Sequence, residues 1–421
     1  MPPVKKKASA PEPDKSVAIR MYNVGFGDAF LVRIPNGSSC CKILFDCGSI
    51  EAVDQPIGDI AKAIVRDVTD PDGTPRIDVI VATHRHKDHV SGFASAVWQT
   101  VQVKEVWMPW TEDETDAEAR RIRDIQSRLA LALDQSLTIK AAAAAASPTT
   151  PPVDFKRYQE VVSNALMLSN DKAMKTLHAG FEGQALRRFL PTKVNDERTF
   201  TTPALPGVRI HVMGPARSAD VIRDMDPPKG QSYLRLNDAL DAGRGPLPAP
   251  FDADFVQPTS GTLANLLPDD EVVIQQSSSL SEFAVAVALD KAVNGTSLML
   301  MLEVAGTYLL FPGDAQWGTW QSVMADPQWR DLLTRVSFYK IGHHGSHNAT
   351  PKDFVEKMVP EGISAMASTC TRSMWPDIPK PELLTALASK HANVVRSDQE
   401  DQPMPPGFTL SDGVVEVRVP L

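Results

Sequence analysis

The stretch VATHRHKDHVSG, residues 81–92, places three of the chain's nine histidines and an aspartate within His84 to His89, at the end of an apolar run. Imidazole and carboxylate are the donors that zinc, manganese and iron accept at close range. His84 and His86 alternate just past a strand-like segment, so both imidazoles can point to one side; Asp88 and His89 follow where a helix is expected to start. Four donors from one short turn exceed what a tetrahedral catalytic site takes from a single loop while keeping a position for water. Two adjacent ions explain the number better. The competing reading is a solvated turn with idle histidines; one histidine in a turn is commonplace, whereas H-x-H-x-D-H after an apolar strand is not.

The elements that must position this turn can be read outward from it. RIDVIVAT, 76–83, is a β-branched run short enough for a buried strand, and it delivers the cluster at its carboxyl end. Before it, SVAIRMYNVGFGDAFLVRI reads as two strands around a glycine turn, CKILFDCG (41–48) as a third, and 57–67 as a helix. KEVWMPW, 104–110, resembles another strand. Residues 111–200, which carry a capping-type acidic start and an alanine tract, read as a largely helical insertion. VRIHVMGP, 208–215, returns to strand character, and 217–280, rich in Pro, Asp and Gly, reads as a second, irregular insertion. FAVAVALD (283–290), TSLMLMLEV (296–304) and GTYLLFPGD (306–314) read as strands. A helix near 315–335, RVSFYKIG, a helix near 351–358, GISAMAS, a helix near 380–391, ANVVRS and GVVEVRVP then alternate to the end. Strand-rich halves flanked by helices predict an α/β layered sandwich.

Bulk properties bound the function. A net charge of −9 over 421 residues argues against holding nucleic acid by a broad basic surface, while leaving room for a local basic groove. Four cysteines without paired spacing fit a reduced, cytoplasmic setting. The opening MPPVKKKASAPEPDKS does not read as a signal peptide, residues 1–15 read as a disordered tail, and an uninterrupted apolar run of membrane-spanning length is absent. The expectation is a soluble protein with no membrane partner, folded from residue 16 onward as a single domain.

The cluster His84, His86, Asp88 and His89 resembles the H-x-H-x-D-H signature of the metallo-β-lactamase superfamily. The resemblance implies a four-layer αββα sandwich, one or two divalent ions, zinc or manganese, between its halves, and hydrolysis by a metal-activated hydroxide. It further implies that Asp46 in LFDCGS supports the metal loop without ligating, that Asp314 in LLFPGDA bridges the ions, and that the last histidine ligand is His344, or its neighbour His343, in YKIGHHGSHNAT.

NVGFGDAFLV, 23–32, joined to HHGS looks like the metallohydrolase domain of the DNA-uptake competence protein ComEC and its soluble relatives, over roughly 17–108, 205–216 and 283–421. Asp28 of this stretch is expected to support the site. Three positions depart from that group's pattern: Asn23 replaces its aspartate, Phe26 its glutamine, and Gly214 stands where relatives keep a histidine before proline. His211, three residues earlier, is the substitute third ligand to examine.

The expected function is metal-dependent phosphodiester hydrolysis, with nucleic acid as the first substrate class. Lys340, Ser346, His347 and Asn348 are candidate phosphate contacts, and Tyr339 and Trp375 candidate base-stacking rings. The alternatives are hydrolysis of a smaller phosphorylated or ester substrate, and a non-catalytic interaction module that meets a protein partner through the insertions.

Overall fold

The structure, a computed structural model, describes residues 15–50, 55–128, 130, 170–193, 198–218, 221–222, 224, 227–228, 231, 289, 291–346, 348–371, 378–399 and 403–421. Alternation builds the first sheet. In β1 (Ser16–Tyr22), β2 (Phe30–Asn36) and β3 (Ser39–Phe45), residues such as Ile19, Val32 and Ile43 face one side, while Tyr22, Leu31 and Leu44 face the other. These three strands are antiparallel. From β3 the pairing turns parallel, through β4 (Arg76–Val81), β5 (Gln102–Pro109) and β6 (Leu186–Leu190). The chain's last hairpin, β14 (Phe408–Ser411) and β15 (Val414–Pro420), closes the other edge and gives the order β14-β15-β1-β2-β3-β4-β5-β6.

The second sheet repeats this plan. β7 (Thr199–Phe200), β8 (Val208–Gly214), β9 (Met299–Val304) and β10 (Thr307–Phe311) are antiparallel; β11 (Val336–Lys340), β12 (Ser364–Ala367) and β13 (Asn393–Arg396) continue in parallel. Parallel neighbours need crossovers, and helices supply them. The first half uses α1 (Ile57–Val68), the short α2 (Lys87–Val90) and α3 (Asp171–Ala179). The second uses α4 (Trp317–Ala325), α5 (Pro327–Leu333) and α6 (Pro381–Ser389).

One buried cluster, from Val17 to Val419, joins the inward faces of both sheets. A second packs Ile60, Ile64 and Leu177 on the outer face of the first sheet, and a third packs Trp320, Trp329 and Leu383 on the outer face of the second. The chain is thus an α/β protein of two mixed sheets with helices on their outer faces. Beneath the parallel strand ends Phe45 stacks on Phe311 across the sheets, with ring centroids 4.0 Å apart and 7° between planes.

Several expectations need correction. The stretch 111–200 is not all insertion: 117–128 is helical, but β6 and β7 within it belong to the sheets. Of FAVAVALD, read as a strand, the described residue Leu289 is helical and a helix follows over 291–294. The helix read near 315–335 breaks at Asp326, whose side chain caps α5 by accepting from Gln328 N at 2.9 Å, with Pro327 in the first turn. All but Lys15 of the tail expected over residues 1–15, and the centres of both insertions, 131–169 and 232–288, lie outside the described residues. Among the described residues no helix is long and apolar enough to cross a membrane.

Candidate metal centre

The carboxyl ends of parallel strands converge at one end of the two sheets. Asp46 follows β3, Thr83 and His84 follow β4, Asp314 follows β10, His343 and His344 follow β11, and Ser368 follows β12. Such strand ends are where open α/β sheets present reactive side chains.

Close backbone packing holds the His84–His89 turn. Asp28 N donates to Asp88 O (2.9 Å), Cys47 N to His89 O (2.8 Å) and Gly48 N to Asp28 O (3.0 Å). This layering explains two glycines of the sequence motifs. A Cβ on Gly27 would lie 2.2 Å from Gly48 O, and one on Gly48 would lie 2.4 Å from His89 N, so only glycine fits. Asp46, His343 and His344 sit at positive φ (56°, 46° and 53°), a conformation costing of order 1–3 kcal/mol each that surrounding contacts must overcome.

Asp88, His89, Asp314 and His344, all buried, offer one ligand atom each with all four within 4.8 Å of one another. His344 Nε2 lies 3.1 Å from Asp88 Oδ2, and His89 Nε2 3.2 Å from Asp314 Oδ2 and 3.6 Å from Asp88 Oδ2. The opposite ring nitrogens are anchored from behind. His89 Nδ1 meets Asp46 Oδ2 at 2.8 Å, and His344 Nδ1 meets the Ser368 carbonyl at 2.8 Å. That outer anchoring fixes ring orientation and leaves both Nε2 atoms for an ion. Asp46 in turn accepts from Thr83 N and Thr83 Oγ1, both at 2.7 Å. Asp28, Asp46 and His89 form a second donor group behind the first. Beside these, His84 Nε2 and His86 Nδ1 face each other at 3.1 Å.

The electrostatics fit a cation. Burial disfavours charge on Asp88 and Asp314, yet the neighbouring His89, with His344 at Asp88 and His343 at Asp314, holds both carboxyls below the usual range. Burial likewise opposes charge on His89 and His344, but Asp314, Asp88 and Asp46 around His89, and Asp88, Asp28 and Asp314 around His344, raise both. His84 goes the other way: burial, then the His89 and His86 charges, lower it well below the ordinary value. Asp314 Oδ1 is buried without a hydrogen-bond partner, with Lys340 Nζ 3.8 Å away, while Oδ2 faces His89. Buried His and Asp clusters that can hold a metal ion are therefore present, and their donor chemistry suits a divalent transition metal.

Other candidate residues are placed differently. His343 Nε2 is 3.7 Å from Asp314 Oδ2, at the rim of the four-donor set. His211 is a correction: Ile210 and Val212 beside it face the intersheet core, so its ring points to the opposite face. There it is held by Thr199 Oγ1 (3.1 Å) and Glu303 Oε2 (3.0 Å), against Trp329. Gly214 leaves no room for a side chain, since a Cβ would lie 2.5 Å from Thr319 Cγ2. Lys340 is also a correction, because it is buried and ion-paired with Asp28 rather than offered to a phosphate. Ser346 and Asn348 are spent internally: Ser346 Oγ donates to Asn348 Oδ1 (2.9 Å), and Asn348 Nδ2 to Gln316 Oε1 (2.8 Å). Tyr339 is buried, with its hydroxyl on Thr350 Oγ1 at 2.8 Å, so it is a core ring and not a stacking platform. His347 and Trp375 lie outside the described residues. Phe26 packs on the His344 ring, centroids 4.2 Å apart.

Sequence reasoning missed four supporting groups: Thr83, Ser368, Gln316 and the Arg85–Glu112 pair. Arg85 Nε and Nη2 donate to the two Glu112 oxygens at 3.0 and 2.7 Å, which ties the metal loop to the turn after β5. Gln316 directly follows the GDA motif, and that adjacency was the one available signal.

No known family model matches the chain, and a search of curated proteins finds no match.

Proposed function

We propose that the protein is a metal-dependent hydrolase of the metallo-β-lactamase superfamily that acts on phosphodiesters. The observation that carries the reading is the buried convergence of Asp88, His89, Asp314 and His344 from both sheets within 4.8 Å. These four would hold the ion, zinc or manganese, with His84 and His86 beside it. A bound ion supplies Lewis acidity, lowering the pKa of water toward neutrality and offsetting charge that builds on a phosphoryl oxygen. The chain's own groups prepare this chemistry. Asp46 and the Ser368 carbonyl keep His89 and His344 oriented through Nδ1. The depressed basicity of His84 keeps its imidazole neutral at pH 7, which is the form that ligates or donates a single N–H.

A smaller phosphorylated or ester substrate is the second reading, and the arginines around the metal loop favour it. Arg85 is committed to Glu112, Arg217 to Asp116, and Arg123 to the Thr111 carbonyl, so these cations are not presented to a polyanion. The test is metal analysis of the purified protein coupled to a panel of DNA, RNA, bis(p-nitrophenyl) phosphate and small phosphoesters, wild type against Asp88→Ala and Asp314→Ala. Metal-dependent turnover of phosphodiesters lost in both variants supports the proposal. Binding to nucleic acid that weakens steeply with salt separates the two readings. Wild-type protein that takes up no metal and hydrolyses nothing on the panel overturns both in favour of an interaction module.

A further inference from the structure

The buried Lys340–Asp28 pair has no place in the ligand set, yet it sits directly behind it. Lys340, at the end of β11, has a side chain 3% exposed and forms an ion pair with Asp28, 1% exposed. Its Nζ is also 3.8 Å from Asp314 Oδ1, the oxygen turned away from His89. Asp28 is fixed by its own backbone, which donates to Asp88 O and accepts from Gly48 N. Its carboxylate lies behind both histidine ligands, 3.6 Å from His89 Nδ1 and 3.8 Å from His344 Nδ1. Those nitrogens are already engaged at 2.8 Å by Asp46 and the Ser368 carbonyl, so Lys340 is the partner left for Asp28.

Four carboxylates, Asp28, Asp46, Asp88 and Asp314, are thereby buried in one neighbourhood. Uncompensated buried charges of one sign oppose folding strongly. We infer that Lys340 is a positioning residue, a built-in cation that holds the donor set together before any metal arrives. It neutralises Asp28 and attracts Asp314 Oδ1, which leaves Asp314 Oδ2 turned toward His89 and the ion. The inference rests on the proposed metal reading for its consequence, but the ion pair itself exists without metal. Lys340 therefore does part of a metal ion's electrostatic work in the metal-free protein.

The consequence is a specific exchange between lysine and metal. Lys340→Met keeps similar bulk and removes the charge. In full-length, EDTA-treated protein it should lower the melting temperature by roughly 3–6 °C, the scale expected for breaking a buried pair in a chain of this size. Added Mn²⁺ or Zn²⁺ should then raise the melting temperature of Lys340→Met more than that of wild type, because the ion restores the missing positive charge. A variant that folds only with metal gives the same answer in stronger form. Should the single variant fail to fold under either condition, Asp28→Asn/Lys340→Met decides: it should recover stability relative to Lys340→Met alone, as removal of a matched pair predicts. The inference is overturned if metal-free Lys340→Met melts with wild type, if metal shifts both equally, or if the double variant is no better than the single. Wild-type protein that binds neither ion would instead overturn the proposed function, leaving the metal-free comparison of single and double variants as the test of the pair.

Discussion

The two neighbourhoods of the candidate centre are built in different ways. His84 and His86 come from alternate positions of one loop and face each other at 3.1 Å, with His84 Nδ1 also 3.2 Å from the adjacent Thr83 Oγ1. Asp88, His89, Asp314 and His344 are drawn from three loops on two sheets and backed by Asp46, Ser368, Asp28 and Lys340. The pair comes from a single loop. The four-donor set exists only if the sheets are correctly docked, through the shared core in which Phe45 stacks on Phe311 beneath it. The difference teaches that affinity should follow the supported set: a ligand whose far nitrogen is anchored loses less orientational freedom on binding.

The largest expected effect breaks the supported set directly. Asp314→Ala should weaken the tightest ion by more than ~100-fold in calorimetric titration, beyond what loss of an outer support causes. His86→Ala should weaken that same ion by less than about tenfold. Equal losses would erase the distinction between the neighbourhoods. Next is the docking of the sheets. Phe311→Ala removes a ring buried on both sides and should cost about 3–5 kcal/mol in chemical denaturation, with metal affinity falling alongside stability. A loss of stability with unchanged affinity would show that docking does not govern the donor set.

A smaller effect is expected where the two second-sheet loops are tied together. Gln316→Leu strands the buried Asn348 amide and should cost about 1–3 kcal/mol. It should also loosen Asp314 relative to His344, read as a modest fall in metal affinity. Smallest is His211→Ala. Its ring belongs to the outer face with Thr199, Glu303 and Trp329, so metal content and affinity should stay at wild-type values in elemental analysis. A lost ion there would return His211 to the site.

What could be read from the sequence follows the same division. HRHKDH was legible because its donors crowd into one turn, and Asp314 and the His343/His344 pair only through the family resemblance of LLFPGDA and HHGSH. The sandwich of strands and helices was legible from hydrophobic period. Of the supports, Asp46 and Asp28 were expected from the resemblance; the others were not. Lys340 reads in sequence as a phosphate contact, and its pairing with Asp28, far away in the chain, exists only once the sheets bring the two together. Ser368 contributes a backbone carbonyl, which no side-chain motif announces. His211 misled because its face depends on the parity of β8, where Ile210 and Val212 claim the core. β6 escaped because LRRFL does not alternate cleanly, its place being set by parallel pairing with β5.

The most direct test of the account is anomalous scattering from crystals of the purified, metal-loaded protein, recorded on both sides of the metal's absorption edge. The strongest peak is expected among Asp88 Oδ2, His89 Nε2, Asp314 Oδ2 and His344 Nε2. A strongest peak held by His84 and His86 without that set, or no peak among these residues at all, would contradict it.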